Sequence, residues 1–349
     1  VISALRQRQS NPNSPSELYS FPVLFFQNIM TNKLELQGTI PDDCAGLRLD
    51  QALAQLFSDY SRGQITKWIK AGHVHVDQHI LKPRDKVIGG ERIEINAEIE
   101  IIDESWTAEA IQLDIIHEDQ DVLLINKPAG MVVHPGAGNH QGTLLNALLH
   151  HVPELEAIPR AGIVHRIDKG TTGLLMIAKT LQAHNSLVSQ LQERTVQREY
   201  QAIAMGVMTA GGTVDEPVGR HPIERKRMTV IGSGKPAVTH YRVDQRFRAH
   251  THIRCKLETG RTHQIRVHMA HIRYPLLGDP AYGGRLRLPK GATEECQQAL
   301  QAFKRQALHA GLLGFVHPRT EQDVSWQVDM PEDMQKILAT LTKDQLQNS

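Results

Sequence analysis

The stretch VHRIDKGTTGLLMIAKT, Val164 to Thr180, sets the reading of this 349-residue chain. Its first half places one carboxylate, Asp168, between His165 and Arg166 on one side and Lys169 on the other. Its second half, GLLMIAK, is a short apolar run behind a Gly/Thr turn and reads as a buried strand that anchors the charged loop. The acid has four possible roles: ion-pair partner, metal ligand, general base or nucleophile. Flanking cations favour the charged carboxylate. That argues against a proton donor and suits an ion-pair partner or a carboxylate nucleophile.

Outward from this stretch, strands and helices follow one another without a regular alternation. DVLLINKPAGMVVHPG (121–136) reads as strand, turn, strand, and LLNALLHHV (144–152) as an amphipathic helix. LQAHNSLVSQLQER (181–194) puts Leu187, Val188 and Leu191 on one helical face, and EYQAIAMG (199–206) is again a strand. PAVTHYRV (236–243) and THIRCKLETG (251–260) alternate with the period of two of half-buried strands. SWQVDM (325–330) precedes a helix opening at PEDMQKIL (331–338). The expected class is α+β with a mostly antiparallel mixed sheet, not a doubly wound parallel one.

A smaller module is predicted upstream, over residues 30–96. RLDQALAQLF spaces Leu49, Leu53 and Leu56 as on a helix. A second helix is expected from an N-cap at Ser61, with Ile65, Trp68 and Ile69 on one face and Gly72 as its stop. Arg62, Lys67 and Lys70 point largely away from that face. HVHVD (73–77) and RIEIN (92–96) read as short strands. Residues 1–29, rich in Ser, Asn, Pro and Gln, read as a disordered extension. An acidic linker over 97–112, a main domain over 113–330 and a C-terminal helix and tail over 331–349 complete the expected division.

Composition is that of an ordinary globular protein, with 40% hydrophobic and 22% charged residues. The apolar runs are too short to span a bilayer, so no membrane segment is expected. Cys44, Cys255 and Cys296 form no CxxC pair and no disulfide framework, which fits a reducing cytoplasm. The N-terminal residues do not read as a secretory signal. The formal charge of +1 conceals a polarised layout. Residues 97–125 hold nine Asp/Glu and no Lys/Arg, whereas residues 220–290 hold sixteen Lys/Arg against four Asp/Glu. An excess of that size points to a polyanionic partner, and nucleic acid is the usual one.

Several motifs fail on inspection. GSGKP (232–236) has Pro236 where a phosphate loop needs Ser or Thr, and GAGNHQG (136–142) has the wrong glycine spacing for a dinucleotide fold. No serine sits in a GxSxG elbow. His263, His268 and His271 cluster in THQIRVHMAHI, but cations surround them and no carboxylate or cysteine joins them at ligand spacing. No metal is expected.

HRIDKGTTG resembles the HRLDxxTSG segment of the RluA-type pseudouridine synthases. INKPAGMVVHPG (125–136), REYQAIAMG (198–206), KPAVTHY (235–241), LETGRTHQIRVHMAHIRYPLLGDPAYGG (257–284) and QALHAGLLGFVHP (306–318) resemble further family segments in the same order. The likeness runs from about residue 113 to 330, and residues 46–95 resemble the S4-type RNA-binding module expected in front of it. Ile167 replaces the usual Leu, and Gly170 stands at a tolerant position. The resemblance implies uridine-to-pseudouridine isomerisation without a cofactor. It also implies Asp168 as the essential carboxylate, Arg261 as the cation paired with it, and Tyr200 as the ring stacked on the uracil. Arg166, His165 and Lys169 would contact RNA beside the site, and Arg62, Lys67 and Lys70 would do so from the S4-like module. The implied partner is 23S ribosomal RNA or a large-subunit precursor, bound by a monomer that flips the target uridine out of its stack. A non-catalytic RNA-binding factor on the same fold would need lesions among Asp168, Tyr200 and Arg261. A metal hydrolase would need carboxylate ligands beside the histidines.

Overall fold

The computed structural model describes residues 33–57, 60, 62–98, 106–136, 138–224 and 226–348. The expectations for residues 1–29 and for a cap at Ser61 lie outside these residues. By its internal contacts the chain divides into two compact units, residues 1–105 and 106–349.

The first unit runs β1 (Lys33–Thr39), α1 (Leu49–Leu56), α2 (Arg62–Lys70), β2 (Val74–Val76) and β3 (Arg92–Glu98). The middle strand of its antiparallel sheet is β3, with β1 and β2 on the two edges. Leu49 and Leu53 from α1 meet Ile65, Trp68 and Ile69 from α2 over Leu36, Ile93 and Ile95 of the sheet. The helical spacing read from the sequence therefore faces the core. Asp50, buried at the start of α1, accepts from Arg48 and from both Nε and Nη2 of Arg62.

The second unit contains β4 (Ile115–Glu118), β5 (Val122–Lys127), α3 (Leu144–His151), β6 (Thr172–Ala178), α4 (Leu181–Glu193) and β7 (Gln197–Met205). It continues with β8 (Gly212–Asp215), β9 (Val218–Arg220), β10 (Met228–Val230), β11 (Val238–Arg246) and β12 (His250–Leu257). It ends with α5 (Gln264–His271), α6 (Glu294–Ala302), β13 (Leu308–Val316), β14 (Asp323–Gln327) and α7 (Glu332–Gln347). The large sheet has the order β4-β5-β6-β13-β7-β12-β11-β8, with β14 added to β13. Its pairings are antiparallel except β6 with β13, and β9 and β10 form a separate hairpin. This is the expected α+β class with a mixed sheet.

All seven residues of β6 are buried, because the strand is covered on both faces. Leu175 and Ile177 point into a core with Leu145 and Leu148 of α3, while Leu174 and Met176 point into another with Ala183 and Leu187 of α4. Each such side chain contributes about 1.5–3 kcal/mol of burial. The loop bearing Asp168 enters this strand from the α3 side, where Ile163 and Ile167 are buried.

Two expectations need correction. MVVHPG (131–136) does not form a second strand: Val132 makes only an isolated bridge to Thr143, and the segment turns back over Lys127. Within the expected linker, Ala97 and Glu98 belong to β3, and Trp106 and Thr107 contact the second unit's core and Asn146 of α3.

Candidate active site

The loop carrying Asp168 is fixed largely from below, by backbone-directed bonds. Thr171 N donates to Asp168 O at 3.0 Å, closing a tight turn. Lys127, at the end of β5, has no exposed surface. Its ammonium donates to Pro128 O (2.7 Å), Met131 O (3.0 Å) and Lys169 O (3.3 Å). One buried cation thus ties the INKPAG turn to the HRIDKG turn. Burial pushes the Lys127 pKa down to about 8, against the attraction of Asp168. From the other side Gln306 Nε2 donates to Thr171 Oγ1 at 3.0 Å, and Arg305 Nη1 donates to Gly170 O at 3.1 Å. Gly173 has φ 111°, and a Cβ there would lie 2.2 Å from Ala310 O, so only glycine lets β6 pair with β13 at this point.

The carboxylate of Asp168 meets a cation from far along the chain, and it is not the expected one. Arg266 Nη1 donates to Asp168 Oδ2 at 2.9 Å. Arg261 instead donates from Nε to Pro236 O at 3.2 Å, because it precedes α5 on the outside of the turn. Arg266 lies inside α5, where six consecutive residues are buried. Its Nε and Nη2 grip Asp279 at 2.7 and 2.8 Å, so the guanidinium is clamped with only Nη1 turned to Asp168. Burial opposes the charge on Arg266, but Asp279 and Asp168 more than offset this and raise its pKa. Asp279 Oδ1 also accepts the amides of Ala281 (2.9 Å) and Tyr282 (3.0 Å).

Asp168 Oδ1 has a looser neighbour, His263 Nε2 at 3.8 Å. His263 caps α5 in the left-handed region, φ 58°, and its Nδ1 lies 2.8 Å from the Tyr282 hydroxyl. That hydroxyl accepts the Met228 amide at 2.8 Å, while the Tyr282 ring lies 5.0 Å from the Arg266 guanidinium carbon. The arrangement leaves a carboxylate held by one oxygen and open at the other. It suits a nucleophile or a base.

Tyr200 lies on β7, opposite Cys255 of β12 and Ala310 of β13, and is 7% exposed. Burial and the field of Asp168 raise its pKa, and Arg198 works the other way. The phenol is therefore neutral and within electrostatic reach of Asp168. Arg198, on the same face of β7, is buried too.

The cations next to Asp168 in sequence do not pair with it. Arg166 and Lys169 are exposed, and the charge of Arg166 is felt at His134 and His263. His165 is no cation at all: its Nε2 accepts the Met176 amide at 3.1 Å, and burial pushes its pKa down to about 3. It braces the loop against β6, so its expected contact with RNA is corrected to a structural role. In the first unit Lys67 and Lys70 are exposed, while Arg62 is committed in part to Asp50.

The basic stretch 220–290 keeps its excess in three dimensions. Its four acids are engaged: Glu224 with Arg227, Asp244 with Arg254, Glu258 with His240 and Asp279 with Arg266. Arg273, Arg285 and Arg287 line one cleft of about 460 Å³ with Tyr282, and among the described residues none of the three has an ion-pair partner. His268 is buried against Thr239 Oγ1 and Glu216 O, away from exposed His271. Asp119, Asp121 and His317 do converge, but His117, His317 and Arg319 already occupy their carboxylates.

Arg266, Asp279, Tyr282 and Lys127 were not singled out as site residues, and His263 only within a metal cluster that was set aside, although all lie in the quoted segments. The available signal was an arginine in an otherwise uncharged helical run, which requires a buried acid to pair with.

Comparison with known proteins identifies the family. A family model for the S4 domain matches residues 47–93, and one for RNA pseudouridylate synthase matches residues 121–271. Ribosomal large subunit pseudouridine synthase D of Pseudomonas aeruginosa is 54% identical over 315 residues, covering 90% of this chain and 98% of the relative. The protein of that name from Escherichia coli K12 is 53% identical over 316 residues, covering 90% and 97%. Among solved structures, human RNA Pseudouridylate Synthase Domain Containing 4 aligns with a TM-score of 0.52 at 25% identity, over 65% of this chain and 92% of its own. With relatives this similar along almost their whole length, the chain belongs to the RNA pseudouridylate synthases, enzymes that convert uridine in RNA to pseudouridine.

Proposed function

We propose that this enzyme isomerises specific uridines of large-subunit ribosomal RNA, 23S RNA or its precursor particle, as a cytoplasmic monomer that needs no cofactor. The observation that carries the chemistry is Asp168, clamped at Oδ2 by Arg266 and open at Oδ1, beside the buried Tyr200 ring. The substrate class follows the relatives whose names specify the large ribosomal subunit.

Conversion requires the N1–C1′ bond to break, the uracil to turn, and C1′ to rejoin at C5. Asp168 acts through its open oxygen, on the sugar, the base or a sugar proton, and Arg266 keeps it charged and aimed. Tyr200 supports the uracil face, with its hydroxyl near the C5 proton that must leave. A stacked uridine is out of reach of such a recessed group, so the base is flipped in at a cost of a few kcal/mol. Arg166, exposed at the mouth, and Lys169 meet the backbone there. The cleft of Arg273, Arg285 and Arg287 suits a phosphodiester, and Arg62, Lys67 and Lys70 give the S4-like module over 30–96 its own contact with RNA. Tethering that contact to the catalytic module over 113–330 raises the effective concentration of substrate.

The test incubates the protein with unmodified large- and small-subunit ribosomal RNA and maps pseudouridine by carbodiimide-dependent reverse-transcription stops. New stops confined to the large-subunit RNA are expected. Stops in the small-subunit RNA alone, or in neither, would overturn the substrate assignment.

A further inference from the structure

Arg198 is a buried cation for which the described residues supply no counter-charge. Its residue is 6% exposed, its Nη2 donates to Glu258 O at 3.1 Å, and its Nε is buried with no acceptor. Among the described residues no carboxylate forms an ion pair with it. The acids nearby are turned elsewhere: Glu258 to His240 at 2.7 Å and Arg194 at 3.6 Å, and Glu199 to Gln197 at 3.1 Å. The third neighbour, His165, is neutral. Leaving a guanidinium in this state is unfavourable, a penalty that a purely structural residue would not need to incur.

One edge of the group is kept clear. Among the described residues Nη1 has no hydrogen-bond partner, and it lies beside Gly260, where a Cβ would approach it to 2.7 Å. Glycine at 260 keeps that approach open. Arg198 also shares a face of β7 with Tyr200. The Tyr200 phenol feels both Asp168 and Arg198. The ring is therefore within electrostatic reach of both the carboxylate and this second cation.

An anion of matching position arises in the reaction itself. When N1–C1′ breaks, its electron pair stays with the base and gives a uracil anion, spread over N1, O2 and O4. The pair that then forms C5–C1′ comes from the base, after which C5 loses its proton and N1 gains one. Charge resides on the base only between the two bond changes, and no oxidant or reductant enters.

Resting on the uridine-isomerase reading above, we propose that Arg198 forms an anion subsite for the uracil. Its Nη1 edge takes a carbonyl oxygen of the base and stabilises the negative charge that builds as the base departs. Preorganised cations of this kind act on the transition state more than on the bound substrate.

The test compares wild type, R198M and R198K in single-turnover conversion of the large-subunit RNA transcript, with RNA affinity and melting temperature measured alongside. R198M keeps the length of the side chain without its charge, and R198K restores the charge. The expected result is a loss of about 100-fold or more in rate for R198M. RNA affinity should stay near wild type, and R198K should recover to within about tenfold. The melting temperature of R198M should be at or above wild type, because a buried cation without a counter-charge is removed. An R198M rate within about threefold of wild type would overturn the inference, as would a loss that R198K does not relieve or that tracks RNA affinity or melting temperature. An inert wild type would remove the substrate reading and this inference together, whereas an active R198M removes the inference alone.

Discussion

Asp279 does not reach the substrate, yet replacing it with Asn should impair both folding and chemistry. Its side chain is fully buried and accepts four hydrogen bonds: two from Arg266, at 2.7 and 2.8 Å, and two from the amides of Ala281 and Tyr282. D279N keeps the shape but turns one acceptor oxygen into a donor NH2 facing a donor. Arg266 then stays charged and buried with one N–H unmatched. Breaking a buried pair in this way costs about 3–5 kcal/mol. For a domain of this size that lowers the melting temperature by roughly 6–20 °C. The same change frees the guanidinium to rotate, so the 2.9 Å contact of Nη1 with Asp168 is no longer enforced. Displacing a reacting carboxylate by about 1 Å costs on the order of 100-fold in rate. RNA affinity should hold, because Asp279 offers nothing to phosphate. Thermal denaturation, filter binding and single-turnover conversion on one preparation separate the three effects. If D279N melts within about 1 °C of wild type and reacts within about threefold of its rate, the clamp reasoning is wrong.

Two further outcomes follow from groups away from the reacting atoms. His250 has no exposed surface, among the described residues neither ring nitrogen has a partner, and burial pushes its pKa down to about 4. The unfolded chain binds that proton near pH 6.5 and the folded one only near pH 4, so stability falls as pH drops through this window, by up to about 3 kcal/mol. H250L should raise the neutral melting temperature and flatten, without abolishing, the pH 4–6.5 slope, since His134 and His165 are depressed in the same direction. A slope as steep as wild type in a melting series would refute it. Gly173→Ala should fail to accumulate as soluble protein, whereas Gly170→Ala should fold, because its Cβ meets only the Gln306 side chain at 2.7 Å. Equal soluble yields and melting temperatures for the two would contradict the contact with β13.

Much of this was legible in the chain because local pattern and tertiary burial agree. GLLMIAK is a continuous apolar run and forms a strand buried on both faces, and the helices at 144–151 and 181–193 follow their apolar spacing. The motifs pointed to Asp168 and Tyr200, which the structure brings within electrostatic reach of each other. The arginine partner was misplaced because GRTHQIR offers two candidates five residues apart. Only the burial of α5 and the position of Asp279 decide between them. MVV has strand propensity, but the carbonyls that the Lys127 ammonium collects bend the chain into a loop, a demand that periodicity does not carry. His165 looks like a cation beside an acid. Its bond to the Met176 amide, which makes it a neutral acceptor, depends on how the loop folds back over β6.

Asp168→Asn in single-turnover conversion of large-subunit RNA tests the central claim most directly. Asn keeps the size of the side chain and can still accept from Arg266, but it has neither the charge nor the nucleophilicity of the carboxylate. The account predicts no carbodiimide-dependent stops above background with D168N, while RNA affinity and its steep decline with salt match wild type. Stops from D168N at the wild-type rate would contradict it.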